Sequence, residues 1–439
     1  MMSGFCRISG RPAALFAQEP TRFAGAMGHA ESSQLCALMD ETLRRKIPIV
    51  GLLHSSGAKI QEGVQSLAGY AEIFKRNVDL SGVVPQISVV MGTCAGGAVY
   101  SPALTDFVIM VRDKGEMFIT GPDVIRETTG EITDRKSLGG AETHAINSGV
   151  AHLVTSDEPR ASRLVKMLLE YLPSSCEGFA PTVETHDASD RRNPDLDMLS
   201  KQDRRKAYDV RQAVSSVADR ETFLEIQPDY AANVVIGFAR VAGHSVGFVA
   251  NNPLQLAGAL DSNASIKAAR FVRFCDSFNI PIITLVDVPG YWPGADQERG
   301  GIIRNGAKLL YAYAESEVPR ITVVLRKAYG GAYCVMGSKQ CGASANFAWP
   351  TAEIAVMGPQ GAVEILHRRE LDASNNPQKV KEVLVEEYLK SFANPDLALK
   401  EGYIDKVIDP SRTRAEVIAA LESALTGFVP RFKHRNIPL

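Results

Sequence analysis

The chain has 439 residues, 45% hydrophobic and 22% charged, which excludes fibrous and disordered classes and suffices for two domains with a core each. Its 48 Lys and Arg against 50 Asp and Glu leave a net charge of -2, so no global field draws it to nucleic acid or to an anionic membrane, and an anionic ligand must be held locally. No apolar run approaches the ~18 residues of a membrane span and the start of the chain lacks signal-peptide order, so a cytoplasmic protein is expected.

In chain order, residues 8–20 (ISGRPAALFAQEP) predict a hairpin with a Gly turn. Leu35, Leu38, Met39 and Leu43 mark one face of a helix. The runs IVGLL and ISVVM then predict strands buried on both sides, as in a covered parallel sheet. The same order returns about 233 positions later. VAGHSVGFVANNP at 241–253 matches the hairpin, and IPIITLVDVPG at 280–290 matches IPIVGLLHSSG at 47–57. PRITVVLRKAYGGAYC at 319–334 matches PQISVVMGTCAGGAVY at 85–100, and AVMGP at 355–359 resembles FITGP at 118–122. The second helix is read as capped by Ser265, with Ile266, Ala269, Val272 and Cys275 on its buried face. The order of the matches predicts an internal duplication into two α/β units, 1–172 and 207–439, joined by a polar linker over 173–206. The basic cluster Arg204-Arg205-Lys206 is read as solvated linker.

The seven cysteines are scattered and never spaced C-x-x-C, so neither a disulfide framework nor a metal site is expected. No phosphate loop and no G-x-G-x-x-G is present, so neither ATP use nor hydride transfer is expected. The strongest local features are Ala95-Gly96-Gly97-Ala98 and Tyr329-Gly330-Gly331-Ala332, each between a strand and a predicted helix. Glycine lets the chain turn close beneath a ligand, and the free N–H groups of a helix start can hold a developing oxyanion. His144, His152, Tyr311, Tyr313 and Tyr329 are read as structural hydrogen-bonders. Asp287 is read as either a strand-end functional group or a turn cap.

The segments MGTCAGGAVYSPALTDFVIMV, LVDVPGYWPGADQERGGIIRNGAKLLYAYAE, RKAYGGAYCVMGSK and AWPTAEIAVMGPQGAVEIL resemble the carboxyltransferase β subunits of biotin-dependent acyl-CoA carboxylases of the propionyl-CoA carboxylase type. The resemblance runs from about residue 4 to the end of the chain. It implies two crotonase-like domains (ClpP/crotonase superfamily), a homohexamer, and transfer of CO2 from carboxybiotin to the α-carbon of a short or branched acyl-CoA. It also implies that the N–H groups of Gly96 and Gly97 hold the thioester oxyanion and those of Gly331 and Ala332 the ureido oxyanion, with Gly330 and Tyr333 lining the biotin side. Ser56, Gly57, Lys59 and Cys334 would contact the acyl-CoA.

Where relatives read N-D-S-G-G-A-R-I-Q-E-G, residues 53–63 read LHSSGAKIQEG. Lys59 then replaces a bidentate Arg fork by a point charge, and Ser56 restricts positive φ. Cys334 stands where relatives carry an acid or an aliphatic residue; its small size predicts acceptance of propionyl or longer chains. Relatives carry a helical segment ahead of GFCRISG, so this chain is expected to be a truncated or trimmed form. Val165-Lys166-Met167 falls in an apolar helical run rather than on the hairpin of a biotin acceptor, so the cofactor must arrive on a separate biotin carrier and biotin carboxylase partner. A decarboxylase or transcarboxylase of the same fold, an acyl-carrier-protein-specific variant, and a repurposed scaffold are the competing readings.

Overall fold

The computed structural model describes residues 1–203 and 206–438; Arg204 and Arg205 of the basic cluster lie outside the described residues. The first half carries β1 (Met2–Ile8), β2 (Arg11–Ala17), β3 (Ile49–Ser55), β4 (Gln86–Ala95), β5 (Phe107–Val111), β6 (Glu116–Phe118) and β7 (Leu153–Thr155). The second carries β8 (Leu224–Ile226), β9 (Val234–Val241), β10 (His244–Asn251), β11 (Ile282–Val288), β12 (Arg320–Tyr329), β13 (Ala345–Ala348), β14 (Glu353–Ala355) and β15 (Lys406–Val407). The sheet orders are β1-β2-β3-β4-β5-β7 and β15-β13-β12-β11-β10-β9-β8, with β6 and β14 paired to the far ends of β4 and β12. Each sheet opens with an antiparallel hairpin, β1–β2 or β9–β10, and continues in parallel from β2 or β10 onward. The duplicated order read from the sequence is thus a duplicated topology, with β8 added to the second sheet. Between the sheets, residues 173–206 contain a helix, Pro194–Lys201, whose Leu196 and Leu199 are buried.

Fine irregularities repeat as well. Register slips once between Leu53 and Ser55 and once between Val286 and Val288, leaving His54 and Asp287 at equivalent bulges. Phe23-Ala24-Gly25 and Leu256-Ala257-Gly258 are both left-handed at all three residues. A Cβ on Gly25 would collide with the His54 carbonyl, and one on Gly258 with that of Asp287. Only glycine fits there.

Side chains alternate across each strand and feed separate layers. Ile49, Leu53 and Val90 join Leu35, Met39, Tyr70 and Ile73 of the helices His29–Arg45 and Val64–Leu80 in one core. Val50, Ile87, Val89 and Ile109, on the opposite face, pack instead into the second half, sharing a core with Phe271 and Phe274 of the helix Ser262–Ser277 and Leu309 and Tyr313 of Ile302–Glu315. Phe107 on β5 meets Phe274 edge-on at 4.8 Å and Phe238 of β9 at 5.9 Å. The helices Ser262–Ser277 and Ile302–Glu315 therefore lie between the two sheets. Of the 16 residues in Ser262–Ser277 twelve are buried, against six of 17 in its counterpart His29–Arg45. This broadens the face expected from Ile266, Ala269, Val272 and Cys275: Ile266 is only half-buried, whereas Lys267, Arg273 and Asp276 are buried. The helix also starts earlier than expected, because Asp261 caps it by accepting from the Ala264 N–H at 2.8 Å, and Ser265 lies inside.

Polar groups at the seam find partners both across it and within each half. Arg270 donates to the Thr105 carbonyl at 2.7 Å, and Lys267 to those of Gln227 and Tyr230 at 2.8 and 2.6 Å. Asp106 accepts from the Gln86 N–H at 2.9 Å; burial pushes its carboxyl up to about 6, against the opposing pull of Arg270.

Two outcomes are expected. Phe107→Ala removes the ring that joins both halves and should lower unfolding free energy by about 3–5 kcal/mol in a denaturant titration. Because the folded chain holds a proton on Asp106 that the unfolded chain releases, this group's contribution to stability is full below its unfolded pKa and is lost as pH rises toward 6. The stability difference between the unsubstituted chain and Asp106→Asn should therefore change by on the order of 3 kcal/mol between about pH 4 and pH 7, falling for the unsubstituted chain as pH rises.

Candidate functional site

Each half places one glycine turn at the end of its central parallel strand, where open α/β sheets present ligand-binding groups. β4 ends at Ala95, Gly96 takes φ +59°, and Gly96–Val99 forms a 3-10 turn leading into the short helix Tyr100–Leu104. β12 ends at Tyr329, Gly330 takes φ +61°, and the helix Gly330–Val335 follows directly. The left-handed residue aims the following peptide N–H groups away from the strand ladder, at the start of a helical turn that has no internal acceptors for them. A Cβ on Gly96 or Gly331 would meet nothing within 4 Å, so both turns face open space.

The first turn is braced from below. The Tyr70 ring lies 3.5 Å from where a Gly97 Cβ would stand, and its hydroxyl is 3.3 Å from Ser55 Oγ, which accepts from the Gly57 N–H at 3.2 Å. Gly57, at φ +104°, approaches Ala95 so closely that a Cβ would stand 2.9 Å from its carbonyl oxygen. Burial pushes the Tyr70 hydroxyl and the Cys94 thiol up to about 12, so both stay neutral beside the turn.

The chain runs on from each turn into the wall of a cleft. In the first half it measures about 640 Å³ and is lined by Val99, Tyr100, Met117, Phe118, Ile119 and His144 among others. In the second it measures about 980 Å³, and its lining includes Gly330, Gly331, Tyr333, Cys334, Tyr388 and Phe392. The two clefts are counterparts: Val99 and Tyr100 correspond to Tyr333 and Cys334, and Met117–Ile119 to Ile354–Val356. They share no lining residue.

Of the residues singled out in the sequence, Gly330, Gly331, Tyr333 and Cys334 meet in one cleft, with Ala332 buried beneath it. Gly57 abuts the Gly96-Gly97 turn. Lys59 is not a free cation: its Nζ lies 2.9 Å from Glu62 and 4.6 Å over the Phe23 ring. Ser56 is exposed and outside the left-handed region, so the restriction on positive φ does not arise there. Asp287 is a buried structural anion, with Arg326 Nε at 3.0 Å and the Lys327 N–H at 3.2 Å. His152 is buried with Nδ1 accepting from Val108 at 3.1 Å, and burial lowers its pKa. His144 has both ring nitrogens engaged, by the Met117 carbonyl and Ser148 Oγ at 2.7 Å each, and burial lowers its pKa too. It is nonetheless a wall of the first cleft. Tyr313 is buried with Thr284 Oγ1 at 2.9 Å, and Tyr311 is exposed, its hydroxyl 3.3 Å from Glu315.

Sequence reasoning missed Glu62, which both answers Lys59 and accepts from the His29 N–H at 2.6 Å, and it missed Tyr388 and Phe392. The last two sit on the helix Pro377–Phe392 far along the chain and carry no local signal. Lys166 lies on the helix Glu158–Tyr171. Among the described residues no cluster of His, Cys, Asp or Glu is placed to hold a metal ion, and no helix is long and apolar enough to cross a membrane.

Residues 1–437 match the family model of the carboxyl transferase domain. The chain is 53% identical to the propionyl-CoA carboxylase carboxyltransferase subunit of Haloferax mediterranei, over all of this chain and 86% of that one. It is 50% identical to the mitochondrial propionyl-CoA carboxylase beta chain of Homo sapiens, over all of this chain and 80% of that one. Among solved structures, the hexameric transcarboxylase 12S core with methylmalonyl-coenzyme A and methylmalonic acid bound superimposes with a TM-score of 0.95 at 47% identity, covering all of this chain and 84% of that one. Whole-length agreement in sequence and backbone has one reading: the chain belongs to the carboxyl transferase domain family and has its duplicated crotonase-like fold.

Proposed function

We propose that this chain is the carboxyltransferase subunit of a biotin-dependent acyl-CoA carboxylase, moving CO2 from carboxybiotin on a separate carrier to the α-carbon of a short acyl-CoA, propionyl or longer. The observation that carries this reading is the recurrence, one in each half, of a left-handed glycine turn from which the chain runs into the wall of a cleft. A reaction in which two oxygens gain charge needs two such turns.

The second cleft fits the cofactor. Its volume exceeds that of a bicyclic ring, its lining is aromatic and aliphatic with neutral backbone donors, and among its lining residues only Glu401 is acidic. A neutral urea with one oxygen to stabilise suits such a lining. Carboxylated biotin, when bound, supplies the CO2 and then the base that takes the α-proton. The N–H groups of Gly331 and Ala332 hold the ureido oxygen, and Gly330 and Tyr333 bound the ring. Across the other turn, the N–H groups of Gly96 and Gly97 hold the thioester oxygen as the α-proton leaves. Each lost donor of this type costs about 2.7–4 kcal/mol in barrier. Gly57 supports that turn from beside it, and Lys59 serves the site through Glu62 rather than as a bare phosphate contact. The family resemblance implies that a complete site sets the first cleft of one subunit against the second of another, in a hexamer of the kind seen in transcarboxylase 12S.

The likeness to transcarboxylase keeps transfer in the opposite direction open to test, because the same two sets of donors serve both directions. Incubating the purified protein with malonyl-, methylmalonyl- and ethylmalonyl-CoA, with and without free biotin, should yield decarboxylated thioester only when biotin is present, fastest with the methylmalonyl compound. Product without biotin, or none from folded oligomer, would refute the reading. Cys334 lines the second cleft and meets the acyl group where that cleft closes on a neighbour's first one, so Cys334→Ile should lower kcat/KM for the branched thioesters relative to malonyl-CoA by about tenfold or more, the usual cost of crowding a small pocket; an unchanged ratio removes Cys334 from contact with the acyl group.

A further inference from the structure

The two glycine turns are braced differently, and the difference lies one residue upstream. In both halves a glutamate occupies the same register position beside the strand that feeds the turn: Glu116 pairs with Thr93, and Glu353 pairs with Lys327. In the first half this acid is met by Thr93 Oγ1 at 2.9 Å and by Arg135 at 3.4 Å, and the residue before Gly96 is Ala95. In the second half the residue before Gly330 is Tyr329, whose hydroxyl donates to the Glu353 carboxylate. Tyr329 and Glu353 are 6% and 4% exposed. The Tyr329 ring also packs against Gly358, 3.5 Å from where its Cβ would stand. Beyond Glu353, β14 pairs Ala355 with Tyr329, and the Val356 carbonyl closes to 3.2 Å from the Cβ position of Gly330.

We propose that Tyr329 and Glu353 are a positioning pair that aims the N–H groups of Gly331 and Ala332, a role that rests on the function proposed above. The last residue of β12 is the lever. A phenol anchored in β14 fixes where the strand stops and the left-handed turn begins, so the peptide planes that follow have one orientation. Neither residue touches the reacting atoms. The pair acts only on the turn of the larger cleft, where a bulky and mobile carrier-borne group must be received. The first turn, with Tyr70 beneath Gly97, has its brace within its own half-site and needs no such lever.

The test uses the intact purified protein and its biotin-dependent decarboxylation of methylmalonyl-CoA. Tyr329→Phe should lower kcat by about 100-fold, the scale of a small displacement of catalytic groups, while KM for the thioester stays within about twofold. Glu353→Gln keeps an amide oxygen that accepts the phenolic proton, and should retain about a third of kcat or more. If Tyr329→Phe fails to fold, the double variant Tyr329→Phe, Glu353→Leu, which leaves no buried acid behind, should show the same loss. Three results would overturn the pair's role: unaltered kcat in the folded variants, a rise in KM with kcat kept, or a Glu353→Gln loss as deep as that of Tyr329→Phe. Absence of biotin-dependent product from the unsubstituted protein overturns the proposed function instead, and is seen before any variant is made.

Discussion

A helix buried on every side must satisfy each of its polar groups inside the protein, because an unpaired one in a low dielectric costs more than its hydrogen bond would return. The helix Ser262–Ser277, with twelve of its 16 residues buried, meets most of this demand between the two sheets, Ser262 Oγ and Arg273 Nε being left without a hydrogen-bond partner among the described residues, and its charges tie together parts of the chain that are remote in sequence. Lys267 reaches back to the carbonyls of Gln227 and Tyr230, and Arg270 crosses to Thr105 in the first half. Arg273 reaches Glu315 and the Arg435 carbonyl. Asp276 takes the N–H groups of Glu317 and Val318 at 2.7 and 3.0 Å and the imidazole of His434 at 3.0 Å. The aromatic contacts of Phe107, Phe238 and Phe274 close the same seam. With the sheets locked through one helix layer, the two glycine turns are held on a single rigid frame, which is what donors worth several kcal/mol to a transition state require.

Duplication preserved backbone and released side chains. The left-handed triplets at Phe23 and Leu256, the bulges at His54 and Asp287 and the turns at Gly96 and Gly330 all recur at nearly one displacement. Around them the side chains have parted. His54 packs over Gly92, whereas their counterparts Asp287 and Arg326 form a buried ion pair. Ala95 and Tyr100 in one half stand against Tyr329 and Cys334 in the other. If the oxyanion donors are peptide N–H groups, this is the division expected: the conformation that presents them is common to both halves, and the walls differ because the ligands differ.

Much of this was legible in the chain itself. The β-branched runs marked the central strands because a strand covered on both faces has no polar positions to hide it. Gly96 and Gly330 were visible because a positive φ at a strand's end leaves few alternatives to glycine. The family segments were legible for the same reason, since they are built around those turns. Less legible was the surrounding helix layer. Lys267, Arg270, Arg273 and Asp276 make Ser262–Ser277 look amphipathic, and only partners supplied by another half, a distant loop and the C-terminal segment allow them to be buried. Ser265 resembled a cap until Asp261, one turn earlier, took the Ala264 N–H.

The division follows the range of the forces involved. Strand, turn and repeat are set by interactions within a few residues of one another, so the amino-acid order alone carries two α/β units with a glycine turn in each. Which faces of those units meet, that Glu62 is drawn to the His29 N–H, and that Asp287 serves Arg326 rather than a ligand depend on pairings across tens to hundreds of residues. Burial and Coulomb partners of that kind exist only once the two sheets and the helix layer between them have closed.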